Sequence, residues 1–330
     1  MRMNGQQTTS QRMIPPADIA TTGGRRLYPC LCMIMLAAFF IFTAGHSSAR
    51  ETRASNEEYE RLFVLANVEF TLWHELAHVV IWEMKPPVFG REEDAADNLA
   101  MIAEMRMQES EGEAGMLEKL QAVADGWKME WRLIQEDELE NAYWDLHALE
   151  IQRYYNIACL VYGANPEKHA VILEATQLPT DRAEGCRDEY AMANHAFDWL
   201  LSQGSHRMKD YSAINRRVIS VRYEDNRSIE GEKLDAWLKE SGLVERLAEA
   251  VARRFYLPRN VEISFENCPF ANAAWNAETA NIKFCHSLVN RFLYLARELQ
   301  KDRLRQAEAS FWQPDAGNSE HAYRLSLRKD

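Results

Sequence analysis

At 330 residues, with 50 acidic against 38 basic side chains, the chain can hold one substantial domain or two small ones and carries a net charge of −12. So acidic a body excludes the broad basic footprint that nucleic acid or an anionic lipid surface requires.

The N-terminal segment reads as a leader. Arg25-Arg26 precede an apolar run over 27–44, followed by Ser47-Ser48-Ala49. A basic start, an apolar middle and a small-x-small end make a secretory signal over 1–49, with a long polar extension at its front and cleavage expected after Ala49. An internal start at Met13 would shorten that extension. The alternative is an uncleaved inner-membrane anchor, because the apolar run approaches spanning length. Residues 1–49 hold four arginines and one aspartate, so their removal takes the net charge from −12 to −15. The remaining body, 50–330, is expected to be one domain, periplasmic or extracellular, with no stable membrane insertion.

Helix dominates that body. Residues 57–85 carry a helical pattern stopped by Pro86-Pro87. After Gly90 a second helix opens with acids in its first turn, where the helix dipole favours them. Further helices are expected over 116–141, 145–162 (ending at Gly163), from Asn165-Pro166 onward, and 182–201. The period then changes. Residues 218–223 alternate as a strand, 229–256 return to helix with a break near Gly242, and 261–265 and 280–284 read as two more strands. A last helix over 288–309 leads into a loose polar tail, 310–330. The predicted class is α+β, a mostly helical body with a small sheet built by the C-terminal third.

Within the first long helix lies His74-Glu75-Leu76-Ala77-His78. Two histidines four residues apart share a helix face, which suits two imidazoles on a tetrahedral Zn²⁺, and the glutamate between them can reach a metal-bound water. No other residue from 70 to 81 is charged, so this helix is apolar nearly all round and should be buried. Buried imidazoles and a buried carboxylate need partners. A metal supplies them; a pair of hydrogen-bonded core histidines is the plainer alternative. A third ligand is expected from Gly90–Asp97. Glu93 is favoured because Asp97, one turn on, can then orient the far nitrogen of His74 or His78. Glu92, Asp94 and Asp97 itself remain possible ligands.

Glu75 is the expected general base toward a water made acidic by zinc. His147, Tyr155 and His195 are candidates for steadying a developing oxyanion. Of these, His147 sits in a segment, 145–153, whose polar residues recur at helical spacing. Trp127, Trp131 and Trp144 read as core. Beyond the leader four cysteines remain: Cys159, Cys186, Cys268 and Cys285. An even number in an exported chain implies two disulfides. Sequence proximity favours Cys159–Cys186 and Cys268–Cys285 among three possible connectivities.

His74-Glu75-x-x-His78 with Glu93-x-x-x-Asp97 resembles the gluzincin arrangement of thermolysin-like zinc peptidases, where a downstream glutamate is the third ligand. The metzincin pattern is absent, since Ile81 and Met84 stand where glycine and a third histidine belong. Asn272-Ala273-Ala274-Trp275-Asn276 is similar to the edge strand that binds extended substrate in those enzymes. That resemblance implies substrate contacts at Asn272, Ala273 and Ala274 and a zincin-like chain order permuted relative to thermolysin. The mature chain as a whole resembles a bacterial family of exported putative metallopeptidases, a domain of unknown function, through His74–His78, Gly90–Asp97, His147–Arg153, Cys186–Tyr190 and Asn272–Cys285. It departs at Ala274-Trp275, where an aromatic pair is usual, and at His286-Ser287, where Tyr-Glu is. The resemblance implies an exported zinc metallopeptidase acting on peptide or protein. The rival expectations are a zinc hydrolase of another amide, such as one in the cell wall, and an inactive secreted binding or scaffold protein.

Overall fold

The computed structural model describes residues 37–107, 112–137, 141, 143–208 and 218–312. The chain divides into two compact units, 1–51 and 52–330. Of the first, only the helical stretch from Ala37 is described, so most of the expected leader lies outside the described residues, as does the tail beyond 312. Among the described residues no helix is long and apolar enough to cross a membrane.

The second unit is α+β. Its helical part comprises the residues from 52 onward of α1 (Ala37–Met84), α2 (Glu92–Met107), α3 (Gly112–Glu136), α4 (Glu150–Ala164), the short α5 (Val171–Thr176) and α6 (Thr180–Ala183), and α7 (Cys186–Met208). Then follow β1 (Ile219–Tyr223), α8 (Gly231–Ser241), α9 (Leu243–Arg254), β2 (Val261–Glu266), β3 (Ala273–Asn276), β4 (Asn281–Cys285) and α10 (His286–Trp312).

From residue 63 to 81, α1 is buried on nearly every side, as its apolar composition requires. The sheet has strand order β1-β2-β4-β3. β1, β2 and β4 run parallel, and β3 closes one edge antiparallel to β4. Two helices, α8 and α9, make the crossover that parallel β1 and β2 demand. Gly242 between them takes φ +58°, and its N–H bonds Lys239 O. A left-handed residue of this kind ends a helix, which is why the predicted 229–256 helix breaks there. Across the register, Tyr223, Phe265 and Phe284 stack at 5.0 and 4.9 Å. That ladder ties the three parallel strands on one face.

Four expectations are corrected. Residues 143–149 form a turn followed by bends and irregular chain, and helix starts only at Glu150. Asp145 Oδ1 accepts the His147 N–H at 2.8 Å, and Gln152 Oε1 accepts the Leu149 N–H at 3.1 Å. These side chains offer the backbone a local alternative to helix and then cap the helix that follows. Trp144 lies in that turn segment, 70% exposed, and is not core. After Asn165, whose Oδ1 caps the Lys168 N–H at 3.2 Å, the chain forms turns and two short helices instead of one continuous helix. Gly163, read as a helix stop, has a different job. A Cβ there would sit 2.1 Å from Cys186 O, so glycine is what lets α4 and α7 pack closely.

Two disulfides join Cys159 to Cys186 and Cys268 to Cys285, the pairing that sequence proximity favours. The first staples α4 to α7. The second closes the loop that presents β3. Replacing Cys268 and Cys285 together by serine should lower stability by about 3 kcal/mol, the chain-entropy value for a loop of that length. Urea unfolding would measure it, and an unchanged midpoint would show that the loop is held without the bridge.

Candidate metal centre

The side chains of the histidine motif converge with those of α2. Gly90, at φ +122°, turns the chain into α2, whose first turn carries Glu92, Glu93 and Asp94. His74 Nε2 and His78 Nε2 lie 3.2 Å apart, as one helical turn on a common face dictates. Glu93 Oε2 sits 3.2 Å from the first nitrogen and 3.1 Å from the second. Each ring's other nitrogen is taken: His74 Nδ1 bonds Asp97 Oδ1 at 2.8 Å, and His78 Nδ1 bonds Glu92 Oε1 at 2.8 Å.

These bonds decide what the centre can hold. A proton on each Nδ1 leaves both Nε2 atoms as lone pairs, facing each other and a carboxylate oxygen. Three acceptors in mutual contact repel unless a positive charge sits among them. Bonds of about 2.0–2.1 Å around a tetrahedral zinc put neighbouring donors roughly 3.3 Å apart. The spacing and the donor set, two imidazoles and one carboxylate, therefore fit a divalent cation.

The electrostatics agree. Burial works against charge on His74, yet hydrogen bonds to Asp97 and Glu93 outweigh it and raise its pKa. His78 likewise overcomes burial through Glu93 and Glu92 and rises to about 9. Burial opposes the charge of Glu93, but its bonds from His147, His74 and His78 hold it far below the usual carboxylate range. The cluster thus gathers positive charge, as protons without a metal and as the metal when one displaces them. A pH dependence of the metal-free protein is expected from this. A histidine raised from 6.5 to about 9 contributes stability that is full below 6.5 and lost as pH climbs through 9. In EDTA the urea midpoint should fall across that window by an amount worth about 3 kcal/mol. A flat or rising midpoint would contradict it.

His147 meets the same carboxylate from the turn before α4. Its Nε2 lies 3.0 Å from Glu93 Oε2 and its Nδ1 3.1 Å from Asp145 Oδ1, with the side chain 47% exposed. The bond to Glu93 raises the pKa of His147 more than burial lowers it. His74, Glu93 and His147 also form a group of potential metal donors. Arg91 Nη1 donates to the His147 carbonyl at 3.3 Å, tethering the turn to the start of α2. Behind His74, Arg153 Nη2 bonds Asp97 Oδ1 at 2.5 Å, and its guanidinium lies 3.7 Å from the ring centroid of Trp127.

Glu75, 6% exposed, turns toward β3, where its Oε2 accepts the Trp275 N–H at 2.7 Å. Burial, the largest influence, raises its pKa. The bond brings the sheet's edge strand against the motif. Because Asn272 O pairs inward with Cys285 N–H, strand alternation turns the N–H and C=O of Ala273 outward, on the same edge as Trp275. A cavity of about 280 Å³ opens between these parts, with His74, Glu75 and His147 on one side and Asn272 and Ala273 on another.

Of the residues singled out in the sequence, His74, Glu75, His78, Glu93, Asp97 and His147 come together here, and Asn272 and Ala273 flank them. Ala274, exposed, is not among the residues lining the cavity. Tyr155 packs edge-on against Tyr154 and His195 lines a different cavity, beside Pro86–Arg91; neither is among the residues lining the cavity at the motif. Asp94 pairs with Arg91 instead of pointing inward. Sequence reasoning missed three things: Glu92 as the partner of His78, Arg153 behind Asp97, and the Trp275 N–H on Glu75. Arg153, at helical spacing from Glu150, carried the one usable signal, a cation within an otherwise apolar helix.

The model of a family described as "Putative metallopeptidase" covers residues 26–201 and 223–314. No curated protein and no solved structure matches.

Proposed function

The chain belongs to the putative-metallopeptidase family, and from that premise we propose that it is an exported zinc-dependent peptidase. The observation that carries the proposal is the triangle of donors at 3.1–3.2 Å whose other ring nitrogens are already bonded. His74, His78 and Glu93 are the ligand set, three protein donors of the kind that leave a position open for chemistry. Zinc held there would supply Lewis acidity toward a carbonyl oxygen and make water a nucleophile near neutral pH.

The remaining roles belong to the chain's own groups. Glu75 takes the proton of the attacking water and delivers it to the departing amine; burial raises its pKa, which makes the carboxylate a stronger base toward that water. Asp97 and Glu92 fix the tautomer and orientation of the two ligand rings. His147 lines the cavity, and its Nε2, which faces Glu93 Oε2, donates toward the oxygen that gains charge once Glu93 is taken by a metal. The outward backbone of Ala273 pairs with an extended peptide by strand addition, with Asn272 beside it. That backbone edge is what favours a peptide over another amide. Two disulfides fit an oxidising compartment and so an exported body behind the 1–49 leader.

The test is metal-dependent cleavage. Protein loaded with one equivalent of zinc should cut a complex peptide mixture. The activity should vanish in 1,10-phenanthroline and return when zinc is restored. Cleavage that persists in the chelator would overturn the proposal.

A further inference from the structure

We infer that the cavity beside Glu75 receives a long cationic side chain of the peptide, lysine or arginine, with Glu150 as its counter-charge; the inference rests on the peptidase reading above. The argument is a charge balance of the cavity wall. Arg153 is already matched by Asp97 and stacked on Trp127. Glu130 is held by Arg291 through two bonds, of 2.8 and 2.6 Å. His147 is matched by Asp145 and Glu93. Glu75 faces the Trp275 N–H.

Glu150 is different. Its side chain lines the same cavity, half-buried, with no hydrogen bond or ion pair among the described residues. It opens α4 three residues before Arg153, so both project from the helix face turned to the centre. Phe70, Leu288 and Phe292 supply apolar walls. A wall of that kind with one unmatched carboxylate suits a side chain that is aliphatic along its stem and charged at its tip. The tip would form a charge-assisted hydrogen bond, stronger than a neutral one. The acidic chain, at −12, would also draw basic peptides toward the cavity.

The experiment profiles cleavage of a proteome digested with a glutamyl endopeptidase, which leaves lysine and arginine inside its peptides. Zinc-loaded protein should give cuts that are absent with Glu75→Gln and enriched about tenfold or more for Lys or Arg at one flanking position. Glu150→Gln should reduce that preference by about tenfold or more, to little or none, as expected for losing a hydrogen bond between charged groups. Glu150→Lys should turn it toward Asp and Glu. Binding gives a readout apart from turnover. By calorimetry, the Glu75→Gln protein should bind a lysine peptide about tenfold more tightly than its norleucine isostere, and Glu150→Gln in that background should erase the difference.

Glu75-dependent cuts without basic enrichment overturn the pocket assignment alone. So does enrichment that survives Glu150→Gln, or equal binding of the two peptides; Glu150 is then only an acid at a helix start. Absence of any zinc-dependent cut overturns the peptidase reading, and the pocket with it.

Discussion

Glu75→Gln is expected to reduce peptide turnover by about 10²–10⁴-fold, the usual contribution of a positioned general base, while zinc content and the unfolding midpoint stay close to wild type. The separation follows from where Glu75 sits. It is none of the three proposed ligands, and among the described residues its hydrogen bond is to the Trp275 N–H at 2.7 Å. A glutamine oxygen accepts that N–H equally well, so the contact between motif helix and edge strand survives. Burial already weighs against charge at this position, so an uncharged side chain is tolerated there. What the amide cannot do is carry a proton between water and amine. The measurement pairs kcat/KM on a cleaved peptide with metal analysis and urea unfolding of the same preparation. Equal turnover by variant and wild type would remove Glu75 from the chemistry. A variant that loses zinc or unfolds early would show that Glu75 holds the centre together.

How much of this was legible in the sequence depended on whether a residue's partner lay nearby along the chain. His74 and His78 are one turn apart on one helix, and Glu93 and Asp97 one turn apart on the next, so local periodicity alone brought out the pairs. The break at Gly242 and the strands at 219–223, 261–266 and 281–285 were readable for the same reason. Partners set by the tertiary fold were not. Trp275 is 200 residues from Glu75, and nothing in its own segment marks the N–H that meets the carboxylate. Arg153 and Asp97 are 56 residues apart, and only the packing of α4 against the centre joins them. The start of α4 failed differently. The 145–153 pattern favours helix, but an aspartate side chain two residues before His147 competes for the same backbone N–H and wins. The consequence is functional, because His147 reaches Glu93 from a turn and not from a helix face.

Arg153→Met should destabilise the protein by about 3–5 kcal/mol and weaken zinc binding by about 10–100-fold, although Arg153 touches none of the proposed ligands' metal-facing atoms. The guanidinium is buried, bonded to Asp97 and packed on Trp127. Methionine replaces much of the volume but leaves the Asp97 carboxylate, 13% exposed, with the His74 Nδ1–H as its remaining partner among the described residues. Burial would raise the pKa of Asp97; Arg153 is the first influence that overcomes it and holds it low. A depressed carboxylate contributes stability that is present above its unfolded value of 3.8 and lost as pH falls through the folded one. Without Arg153 that loss moves to higher pH, so the variant should unfold in acid earlier than the wild type. Once Asp97 takes up a proton it no longer fixes His74, and zinc affinity falls with it. A second substitution separates lost packing from a stranded charge: Asp97→Asn in the Arg153→Met background removes the unmatched carboxylate. It should recover part of the stability and the acid resistance, but not the zinc affinity, since an amide orients the ring less firmly. Urea midpoints between pH 4 and 8, with competitive zinc titration, would measure all three. An Arg153→Met protein within about 1 kcal/mol of wild type, with unchanged affinity, would mean that the centre stands on α1 and α2 alone.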